Sequence, residues 1–376
     1  MKVVSVLTSG TAGGAEHAAV RMLDALAGRG HEAVLLTDVA GLTAGSAVAE
    51  RSVRLGPKLS GRSWPALLAA APVLRGRLAR ALGREAPYDL LLLHFKKEQL
   101  LAPLLPPALR PRVAWAEWGP LPPALRGGFP GALYRRASAA VAAVAAVSEG
   151  TKHSLLQAGA VPGRIEVVPN VVSADRLRPE PEEGRALREQ LGIPPGAFVV
   201  GCMSRLQRRK RNDVLIDAVL ALAADAEAAP VHLIIAGEGD TKAELQARAA
   251  PLGAAAHFLP TPGDRAAAVL SAADVAVFCP SPTEGAPLAV VVAMLVERAV
   301  VASAAEGAEG LIVPGTGAIA SPEHDPAAVA SLLRVYRDDP ERRLADGARA
   351  RRHAASLHSP DKLAAQLEQL FGLDAG

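Results

Sequence analysis

The chain has 376 residues, half of them hydrophobic and 21% charged, with a formal net charge of +3. This is the composition of folded globular domains; the chain is too long for one ordinary core, so two domains are expected. Aromatic residues make up only 3%, too few for the base-stacking platforms of single-strand binders, and the small charge excess gives no sign of a nucleic-acid partner.

The apolar run that opens at Val3 is too short for a secretory leader and turns at once into glycine. No stretch reaches the roughly 18 uninterrupted apolar residues of a membrane span. A cytoplasmic protein is expected. Cys202 and Cys279 stand far apart in apolar, strand-like runs, as buried thiols in a reducing compartment do.

Short apolar runs alternate with longer helical patterns almost from end to end. In the first half the expected strands are Val3–Thr8, Glu32–Thr37, Asp89–His94, Val113–Ala116, Val141–Val147 and Ile165–Val168. In the second they are Phe198–Met203, Val231–Ala236, Ala256–Leu259, Val275–Phe278 and Ala299–Ala302. Helical patterns fill gaps at Ala15–Ala27, Thr151–Gln157, Asp213–Ala226, Lys242–Leu252, Arg265–Ala272 and Leu288–Leu295. Many strands are apolar on both faces, as parallel strands covered by helices on each side must be. The fold class is therefore α/β, with two doubly wound, Rossmann-like parallel sheets.

The domains are read as 1–172, a linker at 173–196 and a second domain at 197–358, closed by a helix within 359–376. The linker is rich in proline, glutamate and arginine and holds a short helix, Arg185 to Leu191. The closing helix, Pro360 to Phe371, carries Leu363, Leu367, Leu370 and Phe371, and is expected to pack back across the groove between the domains. Open parallel sheets bind ligands at the carboxyl ends of their strands, so two such domains facing each other would place the ligand in a cleft.

Three turns carry candidate chemistry. After the first strand comes Ser9-Gly10-Thr11-Ala12-Gly13-Gly14-Ala15-Glu16. Glycines there let a backbone approach a ligand, and a helix start offers free N–H groups to an anion; a tight turn without a ligand reads equally well. The run Arg205-Leu206-Gln207-Arg208-Arg209-Lys210-Arg211 follows another strand. It reads as an anion site, since arginine grips phosphate bidentately and lysine acts as a point charge, or as a solvated basic face. The third turn, Pro280 to Leu288, leaves Glu284 at a strand end and the N–H groups of Gly285, Ala286 and Leu288 at a helix start. Glu284 is either a ligand carboxylate or a helix cap.

In their order, these segments resemble the retaining glycosyltransferases of family 4, which have the GT-B fold. The resemblance runs over nearly the whole chain: Gly13-Gly14-Ala15-Glu16, Val147-Ser148-Glu149, Val167-Val168-Pro169-Asn170, Arg205 with Lys210, Gly237-Glu238-Gly239, and Glu284-Gly285-Ala286-Pro287-Leu288 before Ala293-Met294. It implies a nucleotide-sugar donor as co-substrate, no other cofactor, and sugar transfer with retention of configuration. Arg205 and Lys210 match the pair that neutralises the donor diphosphate, Glu284 the carboxylate that holds donor-sugar hydroxyls, and Gly14 the glycine that nears the diphosphate. Transfer without a metal is implied, and no two aspartates stand two apart in the sequence as a D-x-D metal motif requires.

Two positions depart from the family. Val292 stands where a ribose-holding glutamate is usual, and Trp118 where a histidine is usual. Glu117, Trp118 and His94 are the candidates for the acceptor side, though a lone histidine closing a strand is commonly structural. The departures keep open a non-catalytic partner of the same fold, and a nucleotide-sugar epimerase shares the architecture. Arg54 to Arg84 sets seven basic residues around Trp64-Pro65-Ala66-Leu67-Leu68; it reads as a peripheral contact with an inner membrane face, or as a packed helix with a solvated basic side.

Overall fold

The computed structural model describes residues 1–373 other than 57–63, 161, 171, 173, 175–176, 226, 282–287, 305–307, 309 and 323, and of 64–68 it describes the backbone. The chain divides into two compact units, Met1–Val172 with His358–Gly376, and Ser173–Leu357.

The first unit runs β1 (Lys2–Leu7), α1 (Gly14–Gly28), β2 (Glu32–Thr37), β3 (Ala49–Ser52), α2 (Trp64–Glu85), β4 (Leu90–Leu93), α3 (Lys96–Leu101), β5 (Val113–Glu117), α4 (Gly128–Ser138), β6 (Ala143–Ala146), α5 (Glu149–Gln157) and β7 (Ile165–Val167). Its sheet has the order β3-β2-β1-β4-β5-β6-β7, with every neighbouring pair parallel. Alternate residues of each strand feed opposite cores, as the two-residue period of a strand requires. Val4, Val6, Leu91 and Leu93 pack with Leu74, Leu78 and Leu82 of α2 and with Tyr134 of α4. Val3, Leu7, Leu90 and Leu92 pack with Leu23 and Leu26 of α1. A leucine moved from water into such a core contributes about 1.5–3 kcal/mol.

The second unit runs α6 (Pro181–Gln190), β8 (Phe198–Met203), α7 (Asn212–Ala223), β9 (Val231–Ala236), α8 (Lys242–Ala249), β10 (Ala256–Leu259), α9 (Ala266–Ser271), β11 (Val275–Phe278), α10 (Leu288–Leu295), β12 (Ala299–Ser303), β13 (Gly317–Ala320), α11 (Pro326–Asp338) and α12 (Pro340–Leu357). Its sheet, again parallel, has the order β10-β9-β8-β11-β12-β13. The segment read as a linker holds its short helix, α6, at Pro181–Gln190 where Arg185 to Leu191 was expected. This helix is docked: Gly184 lies so close to Ser271 that a Cβ would come within 2.7 Å of its carbonyl, and Arg188 pairs with Asp274 at 2.9 Å.

The closing helix α13 (Pro360–Phe371) is a core element of the first unit. Leu363, Leu367, Leu370 and Phe371 are buried with α1 residues. Glu368 takes Arg29 at 2.7 Å and His31 at 2.9 Å, Gln366 donates to the Val167 carbonyl at 2.8 Å, and Arg112 donates to the Phe371 carbonyl at 2.8 Å. Its apolar stripe thus completes one face of the first sheet. Among the described residues, no helix is long and apolar enough to cross a membrane.

Candidate functional site

In each sheet the strand order reverses once, between β1 and β4 in the first unit and between β8 and β11 in the second. Loops leaving the carboxyl ends of two strands at such a reversal run to opposite faces and open a crevice for a ligand. The sequence motifs fall on these loops. Gly13 and Gly14 follow β1, His94 follows β4, Arg205 and Lys210 follow β8, and the segment with Glu284 follows β11.

In the second unit, the loop after β8 is held by the loop after β9. Ser204 donates to the Ala236 carbonyl at 3.1 Å, Leu206 to that of Glu238 at 2.9 Å, and Thr241 to that of Leu206 at 3.1 Å. Gly237 and Gly239 are required by this approach: a Cβ would come within 1.9 Å of the Ser204 carbonyl at Gly237 and within 2.0 Å of the Leu206 carbonyl at Gly239. Gly237→Ala is expected to push out the Ser204–Arg205 backbone, lower the melting temperature and, since a displacement near 1 Å can cost about 100-fold, cut activity by that order. Thermal melting with nucleotide release checks it; wild-type values in both would contradict the close fit.

Arg205 is exposed, and its guanidinium has no hydrogen-bond or ion-pair partner among the described residues. Lys210 is half-buried, with its ammonium 5.3 Å from the centre of the Phe278 ring at the end of β11. Ser281 ties the two loops together, its N–H and hydroxyl both donating to the Arg209 carbonyl, at 2.8 and 3.0 Å. The basic loop and the segment after β11 therefore meet at the reversal point. Glu284, Gly285 and Ala286 lie outside the described residues. Leu288 is the first residue of α10, and Val292 in the same helix is 5% exposed. A neighbouring cavity of about 260 Å³ is lined by Arg208, Arg211, Asp213, Glu244 and Arg248 and includes neither Arg205 nor Lys210. Its guanidiniums are already matched by Asp213, Asp217 and Glu244, so it offers less to an anion than the loop beside it. Cys202 and Cys279 are buried free thiols, and burial pushes them up to about 11 and about 12.

In the first unit, α1 starts at Gly14 behind Gly13, an N-cap with no side-chain bond. Nothing lies within 4 Å of where a Cβ on Gly14 would stand, so the helix start is open to close approach by an anion. Asp38 already takes the N–H groups of Ser9 and Gly10, at 2.9 and 3.0 Å. The anion-receptive end is therefore the helix start, while the N–H groups of Ser9 and Gly10 are used within the protein.

The acceptor-side candidates gather at the ends of β4 and β5. His94 is 2% exposed; its Nδ1 accepts from Trp118 Nε1 at 3.2 Å, so Nε2 carries the proton and donates to Ser5 Oγ at 2.7 Å. Burial pushes His94 down to about 3, which keeps it neutral. Glu117 is 3% exposed and ion-paired with Lys96. Gln99 and Tyr134 also donate to Glu117, at 3.0 and 3.2 Å. Burial lowers Lys96 and Glu117 opposes that shift. His94 and Glu117 thus have internal partners, and half-buried Trp118 is the member of the three with the most surface.

Sequence reading passed over α3 itself. Lys97, Glu98 and Gln99 are each at most 2% exposed, an unusual fate for three successive polar residues. Glu98 Oε1 accepts from the Thr8 N–H at 2.8 Å and from the Thr8 hydroxyl, and burial pushes its carboxyl up to about 7 against the pull of Lys97. The available signal was the run Lys96-Lys97-Glu98-Gln99 directly behind a strand-ending histidine, too short to show a helical period.

Comparison with known proteins agrees with this layout. Residues 12–176 match the family model described as Glycosyltransferase Family 4, and residues 197–338 the model described as Glycosyl transferases group 1. A D-inositol 3-phosphate glycosyltransferase of Streptomyces avermitilis is 33% identical over 202 residues, 51% of this chain and 43% of that protein. One from Catenulispora acidiphila is 32% identical over 246 residues, 61% of this chain and 58% of that protein. The chain therefore spans about half the length of these relatives. Among solved structures, Anabaena HepE in complex with UDP superimposes with a TM-score of 0.82 at 21% identity, covering 100% of both chains. Sucrose-phosphate synthase from Thermosynechococcus elongatus gives 0.77 at 18% identity, over 99% and 98%. Two successive stretches of the chain thus match glycosyltransferase family models, 12–176 and 197–338, on the GT-B fold.

Proposed function

We propose that this chain is a glycosyltransferase that moves a sugar from a nucleotide-sugar donor to an acceptor, with retention of configuration and without a metal. The observation that carries the reading is the exposed guanidinium of Arg205, without a partner among the described residues, beside Lys210 where the second sheet reverses. Two cations on that loop stabilise the charge that develops on a leaving diphosphate, and groups aimed at developing charge are commonly the largest catalytic contribution. Glu284 holds hydroxyls of the donor sugar, with Gly285, Ala286 and Leu288 offering backbone N–H groups. Gly13 and Gly14 leave the start of α1 open to a phosphoryl group. Trp118 is the acceptor-side candidate with surface to offer. A uridine donor is the first to test, because HepE is described in complex with UDP-glucose. The test is incubation with a panel of nucleotide sugars and measurement of released nucleotide. Release from at least one donor is expected; silence across the panel, with candidate acceptors present, would sink the reading.

A second reading, a non-catalytic binding protein on the same fold, draws on Val292, whose side chain is apolar and 5% exposed where the family pattern has a carboxylate. Donor binding without release would favour it.

Peripheral membrane contact is proposed for the basic side of the first unit. Arg54, Arg75, Arg77, Arg80 and Arg84 are exposed, and Val73 and Leu104 are 57% and 50% exposed nearby in the chain. Such a face lies on anionic headgroups through charge and shallow apolar insertion. Sedimentation with phosphatidylserine-containing vesicles at low salt, lost at high salt, is expected; no sedimentation at low salt ends the proposal.

A further inference from the structure

The turn between β1 and α1 is gripped from two sides by side chains that belong to other elements. At its base, Thr8 gives its N–H and its hydroxyl to one oxygen of Glu98. The carbonyl of the same residue accepts from Lys97 Nζ at 3.5 Å, and Lys97 also donates to the Gly56 carbonyl. Two successive residues of α3 therefore hold both ends of the peptide chain at Thr8. One step further on, Asp38 beyond the end of β2 accepts from the N–H groups of Ser9 and Gly10, and the Ser9 hydroxyl donates to the Thr11 carbonyl at 2.8 Å. Gly10, at φ +74°, lets the chain reverse between these anchors.

We infer that Glu98, with Lys97 beside it, is a positioning residue: it fixes the Thr8–Gly14 turn and so holds the open start of α1 in the place where it meets a phosphoryl group. The inference rests on the proposed donor role of Gly13 and Gly14. The grip is firmest when Glu98 is ionised. Hydrogen bonds to an ionised group are about twice as strong as neutral ones, and both donors here converge on a single oxygen. The burial of Glu98, 0% exposed, excludes a role as a ligand for bulk solutes and directs its effect through Thr8. Of the α3 polar residues, Lys96 and Gln99 turn instead to Glu117, so the two halves of this one short helix serve different strand ends.

The test compares wild type with Glu98→Gln, which keeps the shape and removes the charge, and with Thr8→Val, which deletes the hydroxyl donor and guards against a folding failure of the first variant. Amide hydrogen exchange is read at Ser9 and Gly10, whose N–H groups bond to Asp38 and not to Glu98. Exchange at least tenfold faster at these two positions, with a melting temperature within a few degrees of wild type, is expected for Glu98→Gln, and a smaller increase for Thr8→Val. With UDP-glucose, KM is expected to rise about tenfold or more while kcat changes less than about threefold. Wild-type exchange at Ser9 and Gly10 in both variants would overturn the inference. So would a loosened turn with an unchanged KM. A wild-type protein that ignores nucleotide sugars altogether would instead remove the donor reading, and the exchange data would still decide whether Glu98 sets the turn.

Discussion

Replacing Lys210 with alanine is expected to cut turnover by about 100- to 1,000-fold, the usual loss when one preorganised group facing developing charge is removed. The loss falls on kcat, because the lysine interacts more strongly with the leaving diphosphate than with the intact donor. One contact of its half-buried side chain is with the Phe278 ring at 5.3 Å, and losing such a contact costs about 0.5–1 kcal/mol near the surface, far less than the expected effect on rate. Lys210→Arg restores charge but not geometry, since a planar fork replaces a compact ammonium, and partial recovery is expected. Steady-state rates with the donor identified by nucleotide release, beside melting curves, check this. A near-normal kcat for Lys210→Ala would remove the lysine from the assignment.

The second large effect is on the first unit's stability. Glu117→Leu leaves the Lys96 ammonium buried without its counter-charge and takes the acceptor from Gln99 and Tyr134. Breaking a buried pair on one side costs about 3–5 kcal/mol. Lys96→Met in the same chain is expected to recover most of that loss, because an apolar pair of similar volume often packs as well as the ions did. All three tryptophans, Trp64, Trp115 and Trp118, belong to the first unit, so their fluorescence in a urea titration reports that unit's transition. Equal midpoints for wild type and Glu117→Leu would mean that the pair is not holding the ends of β4 and β5 together.

The fold was legible in the sequence where apolar runs were long, and illegible at the edges. The strands Glu32–Thr37, Phe198–Met203, Val231–Ala236, Ala256–Leu259 and Val275–Phe278 stand at the expected bounds; the inner ones, Phe198–Met203, Val231–Ala236 and Val275–Phe278, are buried along nearly their whole length, which selects mostly apolar side chains on both faces. The helix Leu288–Leu295 was legible despite three successive valines, because proline and glycine before it mark a start. β3 was not: Ala49-Glu50-Arg51-Ser52 is an edge strand with two exposed residues, so nothing selects apolar side chains there. β13, at the other sheet's edge, reads Gly-Ala-Ile-Ala and carries too little bulk to signal a strand.

Site chemistry followed the same logic. Arg205 and half-buried Lys210 stand out in the sequence because cations clustered behind a strand have few structural uses. Glu98 and Lys97 do not. Lys97 and one carboxyl oxygen of Glu98 bond to Thr8 and Gly56, which are distant in sequence, and no spacing rule links a six-residue helix to a turn some 90 positions earlier. The apolar stripe of the closing helix α13 was plain in the sequence, but the partners that fix it, Arg29, His31 and Val167, are visible only once the first sheet is built.

Calorimetric titration of UDP into wild type and Arg205→Ala tests the central claim most directly, because the exposed Arg205 guanidinium has no hydrogen-bond or ion-pair partner among the described residues. Saturable binding by wild type, weakened at least tenfold in Arg205→Ala with unchanged melting in the absence of UDP, is the predicted result. Equal affinity in the two proteins would contradict it, and would mean that the cations after β8 do not hold a nucleoside diphosphate.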